Sequence, residues 1–237
     1  MISGLYGSAA NLEALSRQQE ATASNLAHLN TPGHRRVTTG FSEWLEAEQH
    51  NGEPYPNNSL VTGVDHTNRG RLEQTERSLD WALEGDVFFA FQGAEDIMYS
   101  RNGVIFRNSD TNQLVNSDGF ALLDSDGQPL IYEGALDSLT VTRDGSLFAG
   151  AQRLGKVGIY SFDDNRLLDS RNQIYFLAGN ATPTLAENYQ LHQGFRELSN
   201  ANPTTELISL IVGSRHFEAT QRAIRTISDA IQENIRS

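Results

Sequence analysis

The two ends of this chain carry the same spacing of apolar residues, and that spacing constrains the fold more than any other feature. Ile2, Leu5, Ala9, Leu12, Ser16, Gln19, Ala23 and Leu26 fall on alternating three- and four-residue steps. Leu207, Leu210, Ser214, Phe217, Gln221, Ile224, Ser228, Ile231 and Ile235 repeat the pattern at the other end. Such spacing is the seam of a coiled coil. Leu15 and Leu29 widen the first stripe; Ile208, Ile211 and Ile227 widen the second. The spacing predicts helices over 3–28 and 204–236, about 39 and 50 Å long. Asn202-Pro203 supplies an N-cap and a first-turn proline for the second. Both seams are interrupted by polar residues, so neither helix can bury its stripe alone.

The middle has a different character. Short β-rich runs at 87–92, 103–107, 139–142 and 156–162 alternate with Asn102-Gly103, Asp118-Gly119, Asp126-Gly127 and Asp144-Gly145. These pairs suit tight hairpins, and strands at such intervals predict an antiparallel sandwich or barrel. Residues 50–70 hold few large apolar side chains, and 37–70 read as a linker or exposed loop. The predicted class is therefore α+β. An N-terminal helix and turn (1–36), a linker (37–70), a β-rich outer domain (71–195) and a C-terminal helix (196–237) follow in order, the last pairing with the first.

Charge follows the same division. The chain carries −12 overall. Residues 1–36 sum to +1 and 196–237 to zero, so the acidity lies in 37–195. That field opposes nucleic-acid or anionic-membrane binding. No apolar run reaches the roughly 18 residues of a membrane span, and the first twenty residues lack the pattern of a cleaved secretory signal. Cysteine is absent, which removes disulfides, thiolate metal sites and a cysteine nucleophile.

The chemical candidates are weak. Six histidines (28, 34, 50, 66, 192 and 216) show no zinc-ligand spacing. Asp124-Ser125-Asp126-Gly127 lacks the downstream glutamate of a calcium loop and reads as a hairpin turn. Adjacent acids such as Asp163-Asp164 and Glu95-Asp96 read as solvated turns. No nucleophile elbow, phosphate loop or dinucleotide fingerprint occurs. No catalytic, metal or cofactor residue is assigned. His34, Arg35 and Arg36 follow the Asn30-Thr31-Pro32-Gly33 stop. A helix C-terminus attracts cations and repels anions, so the arginines are expected to reach helix carbonyls or pair with acids of the middle domain. Pro32 ends the helix and Gly33 permits a sharp turn.

The stretch ASNLAHLNTPGHRR (23–36) resembles the N-terminal signature of bacterial flagellar rod and hook axial proteins, A-x-N-L-A-N-x-x-T-P/N-G-F/Y. Asn25, Leu26, Ala27, Thr31, Pro32 and Gly33 match it. Toward the C-terminus Ser199, Asn200, Glu206, Leu207, Arg215, Phe217 and Glu218 match the family's closing helix. GRLEQTERSLDWALEGDVFFAF, YSRNGVIF and QLVNSDGFALL line up in order with its β segments. His28 stands where the pattern has Asn, His34 where it has an aromatic, and Val87 where it has Gly. The Thr-Pro-Gly turn, Ser78-Leu79-Asp80 and the short length point to the proximal rod type, with the distal type close behind. The resemblance implies a structural, non-enzymatic subunit of the basal-body rod without a cofactor, transmitting torque. It implies export by the flagellar type III apparatus without a cleaved signal, helical assembly in the periplasm, and no membrane insertion. Implied partners are other rod and hook axial proteins, further copies of itself, the export apparatus and ring proteins. The alternative reading is an acidic β binding module on a helical stalk, recognising an extracellular or cell-wall component.

Overall fold

The computed structural model describes the backbone of residues 2–44 and 57–236, and the side chains of 11–40 and 62–230. Two compact units emerge. The first comprises Met1–Ala27, Val37–Gly63 and Ala201–Ser237; the second comprises His28–Arg36 and Val64–Asn200.

In the first unit, helix α1 spans Ile2–Ala27 and helix α2 spans Pro203–Arg236. The cap of α2 forms as its sequence predicts. Asn202 Oδ1 accepts from the backbone N–H groups of Thr204 and Thr205 at 3.0 and 3.2 Å, and Pro203 opens the first turn. The helices run antiparallel: Asn25 meets Glu206, whereas Gln19, earlier in α1, meets Gly213, later in α2. Strands β1 (Val37–Trp44) and β2 (Asn57–Val64) pair as a two-stranded ribbon.

The seam of α2 coincides with its predicted position in part. The more buried residues after Pro203 are Glu206, Ser209, Leu210, Gly213, Phe217, Thr220, Ile224, Ile227 and Ser228, which recur at three- and four-residue intervals. On α1, Ala14, Leu15, Ala21, Thr22 and Asn25 are buried. Of the predicted seam, Leu12, Ser16, Gln19, Leu26, Leu210, Phe217, Ile224 and Ser228 are half-buried, and Ala23, Leu207, Ser214 and Gln221 are exposed. The period holds, and small or polar residues such as Ala14, Thr22, Asn25, Glu206 and Gly213 add to the buried face without a hydropathy signal. The side chains of Ile2, Leu5, Ala9, Ile231 and Ile235 lie outside the described residues.

Residues 37–70 also depart from the linker expectation, since β1 and β2 both fall there; residues 45–56 lie outside the described residues. Low apolar content misled here because a two-stranded ribbon can form without a hydrophobic run.

The second unit is antiparallel in every strand pairing described. Its largest sheet has nine strands, with Phe88–Gln92 at the branch point, pairing with Ile97–Ser100, Ala121–Leu122 and Ile159–Phe162. Successive residues of a strand point to opposite faces. Phe89 and Phe91 accordingly join a cluster with Trp81, Ile105, Leu122 and Leu147, while Phe88 and Ala90 join Tyr99, Phe162 and Phe176. A strand buried on both faces needs a continuous apolar run, which is why VFFAF does not alternate.

Three of the four predicted hairpin glycines hold positive φ: Gly119, Gly127 and Gly145. Asn102-Gly103 does not turn. Residues 103–105 run beside 79–81, with Trp81 N–H donating to Gly103 O at 2.8 Å and Ile105 N–H to Leu79 O at 2.9 Å. A Cβ on Gly103 would stand 1.9 Å from Trp81 O, so glycine is required there for close approach.

Gly103 and Gly213 make opposite predictions. Gly103→Ala forces backbone apart in the core and should destabilise the β unit by about 3 kcal/mol or more. A Cβ on Gly213 would lie 3.5 Å from Gln19 Cγ, an ordinary contact. Gly213→Ala should therefore stabilise α2 by up to about 1 kcal/mol. Denaturant titration followed by far-ultraviolet circular dichroism reads both.

Candidate functional site

The matched signature residues divide into two buried polar constellations, one in each unit. In the helical unit the centre is Asn25, 1% exposed. Its carboxamide pairs with one backbone residue on both sides: Nδ2 donates to Val37 O at 2.9 Å, and Oδ1 accepts from Val37 N–H at 2.8 Å. Nδ2 also donates to Glu206 Oε2 at 3.2 Å, and Glu206 is equally buried. The single side chain thus joins the start of β1 to the first turn of α2. A polar pair in a helix seam favours one register, because sliding either helix leaves a buried donor or acceptor unmatched.

In the β unit the centre is Glu197, 2% exposed, whose carboxylate lies between two buried guanidiniums. Arg101 Nε donates to Oε2 at 2.7 Å, and Arg35 Nη2 stands 3.4 Å from Oε1. Arg101 spends its other donors on the carbonyls of Leu83, Gly85 and Val87, which holds the turn around Gly85. Arg35 Nη1 donates to Asn68 O at 2.7 Å. Burial lowers the Arg35 guanidinium to about 10, with Glu197 opposing that shift. The expected pairing of Arg35 with an acid is found; the acid lies just beyond the predicted β domain.

The exit segment after α1 is fastened to this hub by its backbone. Gly33 N–H donates to Glu197 O at 2.9 Å and Arg35 N–H to Gln173 O at 2.9 Å. Gly33 has φ +71°, and a Cβ there would meet Asn102 N at 2.3 Å, so both conformation and space demand glycine. Asn200 Oδ1 accepts from Arg36 N–H at 2.6 Å, and its Nδ2 donates to the carbonyls of Asp65 and Asn68. Ser199 Oγ lies 3.1 Å from His34 Nδ1, and Thr31 Oγ1 lies 3.3 Å from His28 Nδ1. Pro32 is half-buried within the turn.

The remaining predicted residues behave differently. Leu26 is half-buried and Ala27 exposed; Leu207 is 50% exposed, Arg215 and Glu218 are exposed, and Phe217 is half-buried in the seam. Sequence reasoning missed Arg101, Glu197, Asn68 and Gln173. Arg101 and Glu197 each sit in polar surroundings, and nothing local separates a buried ion pair from a surface one. Asp124 behaves as a turn residue, its Oδ1 accepting from the N–H groups of Asp126 and Gln128 at 2.8 Å. Among the described residues, no three His, Asp or Glu side chains are placed to hold a metal ion, and no helix is long and apolar enough to cross a membrane.

Glu197 gives the sharpest test of this construction. Glu197→Gln leaves two guanidiniums buried without a counter-charge and should destabilise the β unit by roughly 3–5 kcal/mol. Hydrogen exchange should show that loss across the Phe88–Gln92 strand as well as at Gly33 and Arg35.

Comparison with known proteins places the same segments in one context. Residues 192–236 match the family model "Flagellar basal body rod FlgEFG protein C-terminal". The chain is 27% identical over 241 residues to the flagellar basal-body rod protein FlgF of Mesorhizobium japonicum, covering 100% of this chain and 98% of the relative. FlgF of Escherichia coli is 29% identical over 231 residues, covering 90% and 88%. The basal-body rod protein FlgG of Bacillus subtilis is 24% identical over 259 residues, covering 98% of each. The C-terminal helix thus matches the model of the flagellar basal-body rod proteins, and the chain is similar along its whole length to proteins of that name.

Proposed function

We propose that this chain is a structural, non-enzymatic subunit of the bacterial flagellar basal-body rod. It assembles helically with itself and with other axial proteins, transmits torque, and crosses the periplasm as part of the rod. The end-to-end likeness to proteins named for that structure is the observation that carries the reading. The alternative of a stalked wall-binding module finds no support among these relatives.

The physical character of α2 supports an assembly role. Leu207, Ile208, Ile211 and Val212 are between 47% and 58% exposed on adjacent turns. A soluble monomer rarely leaves four large apolar side chains side by side on a helix, and such a patch marks an interaction surface. In this reading residues 1–36 and 196–237 supply an axial, coiled-coil-like layer and 71–195 an outer one. Asn25, Thr31, Pro32, Gly33, Ser199, Asn200 and Glu206 shape the subunit, whereas Leu207, Arg215 and Glu218 face neighbours. Contacts of this head-to-tail kind extend into a filament when the rotation does not close. Export proceeds through the flagellar type III apparatus without signal cleavage.

We favour the proximal FlgF type over the distal FlgG type. Alignment with FlgG proteins stretches to 259 and 264 positions against 237 residues here, whereas FlgF aligns over 241.

The exposed face gives a direct test. Ile208→Asp with Ile211→Asp should leave the isolated subunit's stability within about 0.5 kcal/mol, since both side chains are already largely in solvent. The double variant should fail to restore swimming to a strain lacking this gene. Full motility with the variant incorporated in purified basal bodies would refute the assignment.

A further inference from the structure

Three imidazoles gather around the exit segment of the β unit, and two of them, His34 and His66, sit in surroundings poorly suited to a proton. His28 and His34 stack with ring centroids 5.0 Å apart and planes 21° from parallel. His34 is 1% exposed; Nδ1 meets Ser199 Oγ, and Nε2 is buried without a hydrogen-bond partner. His66 packs edge-on against Phe176 at 4.9 Å and Phe88 at 6.1 Å, and its Nδ1 is likewise buried and unpartnered. A neutral ring with one orphaned nitrogen is tolerable. An imidazolium there would be a buried cation with a donor pointing at nothing.

The charges facing these rings make uptake harder still. Arg35 lies beside His66 and has its own Nε unpartnered. Arg35 and Arg101 already share the single carboxylate of Glu197. Asp65, next to His66, is engaged by the N–H groups of Thr67 and Asn68 and by the Asn68 side chain; Asp86 is the other acid acting on Arg35. The charge acting on His34 comes from a second imidazole, His28.

We propose that residues 28–36 form a proton-released latch, in which protonation of His34 and His66 detaches the exit segment from the β unit. What would be lost are the four fastenings through Gly33, His34, Arg35 and Arg36. Burial, and then His28, lower His34 to about 4; burial, and then Arg35, lower His66 to about 4. The docked segment binds fewer protons than a released one with ordinary histidines near 6.5. Docking is therefore at full strength above about pH 6.5 and weakens as pH falls toward 4. Most aspartates and glutamates remain ionised at pH 5, which separates this effect from general acid unfolding.

Amide hydrogen exchange on the full chain at pH 7 and pH 5, expressed as protection factors, tests the latch. Protection of the Gly33, Arg35 and Arg36 amides should fall about tenfold or more at pH 5, while amides of the Phe88–Gln92 and Ile97–Ser100 pair hold. His34→Phe with His66→Phe should abolish that difference. Equal protection at both pH values, a uniform loss across the unit, or an unchanged pH response in the double variant would each overturn the proposal. Direct titration of the histidine ring protons by NMR in the unmodified chain guards against a variant that misfolds. Ordinary mid-range titration of both rings would contradict the latch.

Discussion

The carboxylate of Glu197 organises the β unit's contact with the segment that leaves α1. Two buried guanidiniums converge on it, its backbone carbonyl receives Gly33, and Gly70 N–H donates to its Oε1 at 3.0 Å. Without that acid, Arg35 could not enter the interior, and the turn at Gly33 would lose its anchor. Arg101 carries the same constraint onward to the carbonyls of residues 83–87 and so to the central strand. Buried ion pairs contribute little net stability compared with apolar packing, but their geometry is unforgiving. That suits a site that fixes the path of residues 28–36 on the β unit.

The helical unit solves a related problem with neutral chemistry. Asn25 reads the backbone of Val37 as a neighbouring strand would, and reaches Glu206 with its remaining donor. The small residues Ala14, Ala21 and Gly213 lie within the same seam. The seam of α2 mixes these with larger side chains, since Leu210, Phe217, Ile224 and Ile227 are half-buried, while Leu207, Ile208, Ile211 and Val212 remain outward near its start.

How much of this could be read from residues alone depended on the range of the interaction. Periodicity, the Asn202-Pro203 cap and the Thr31-Pro32-Gly33 stop are local, and the structure reproduces the two helices almost to their ends. Gly119, Gly127 and Gly145 declared their turns for the same reason. The α2 seam was legible at Leu210, Phe217, Ile224 and Ser228 and not at Glu206 and Gly213, whose burial carries no hydropathy signal. Gly103 was misread because its need is for proximity to Trp81, a tertiary fact. The β1–β2 ribbon was missed since its strands lack an apolar run. Glu197 and Arg101, ninety-six residues apart, could not be joined without the fold. His34 was visible in the sequence only as a departure from the family pattern; its environment is what turns it into a group that resists protonation.

In a rod subunit the outer face of α2 is covered only on assembly. The chain has no cysteine, so Ile211→Cys introduces a unique thiol at a position 55% exposed. Maleimide labelling should be rapid on the free subunit and at least about tenfold slower in purified basal bodies, as burial against a neighbour requires. Equal labelling in both states would contradict the account.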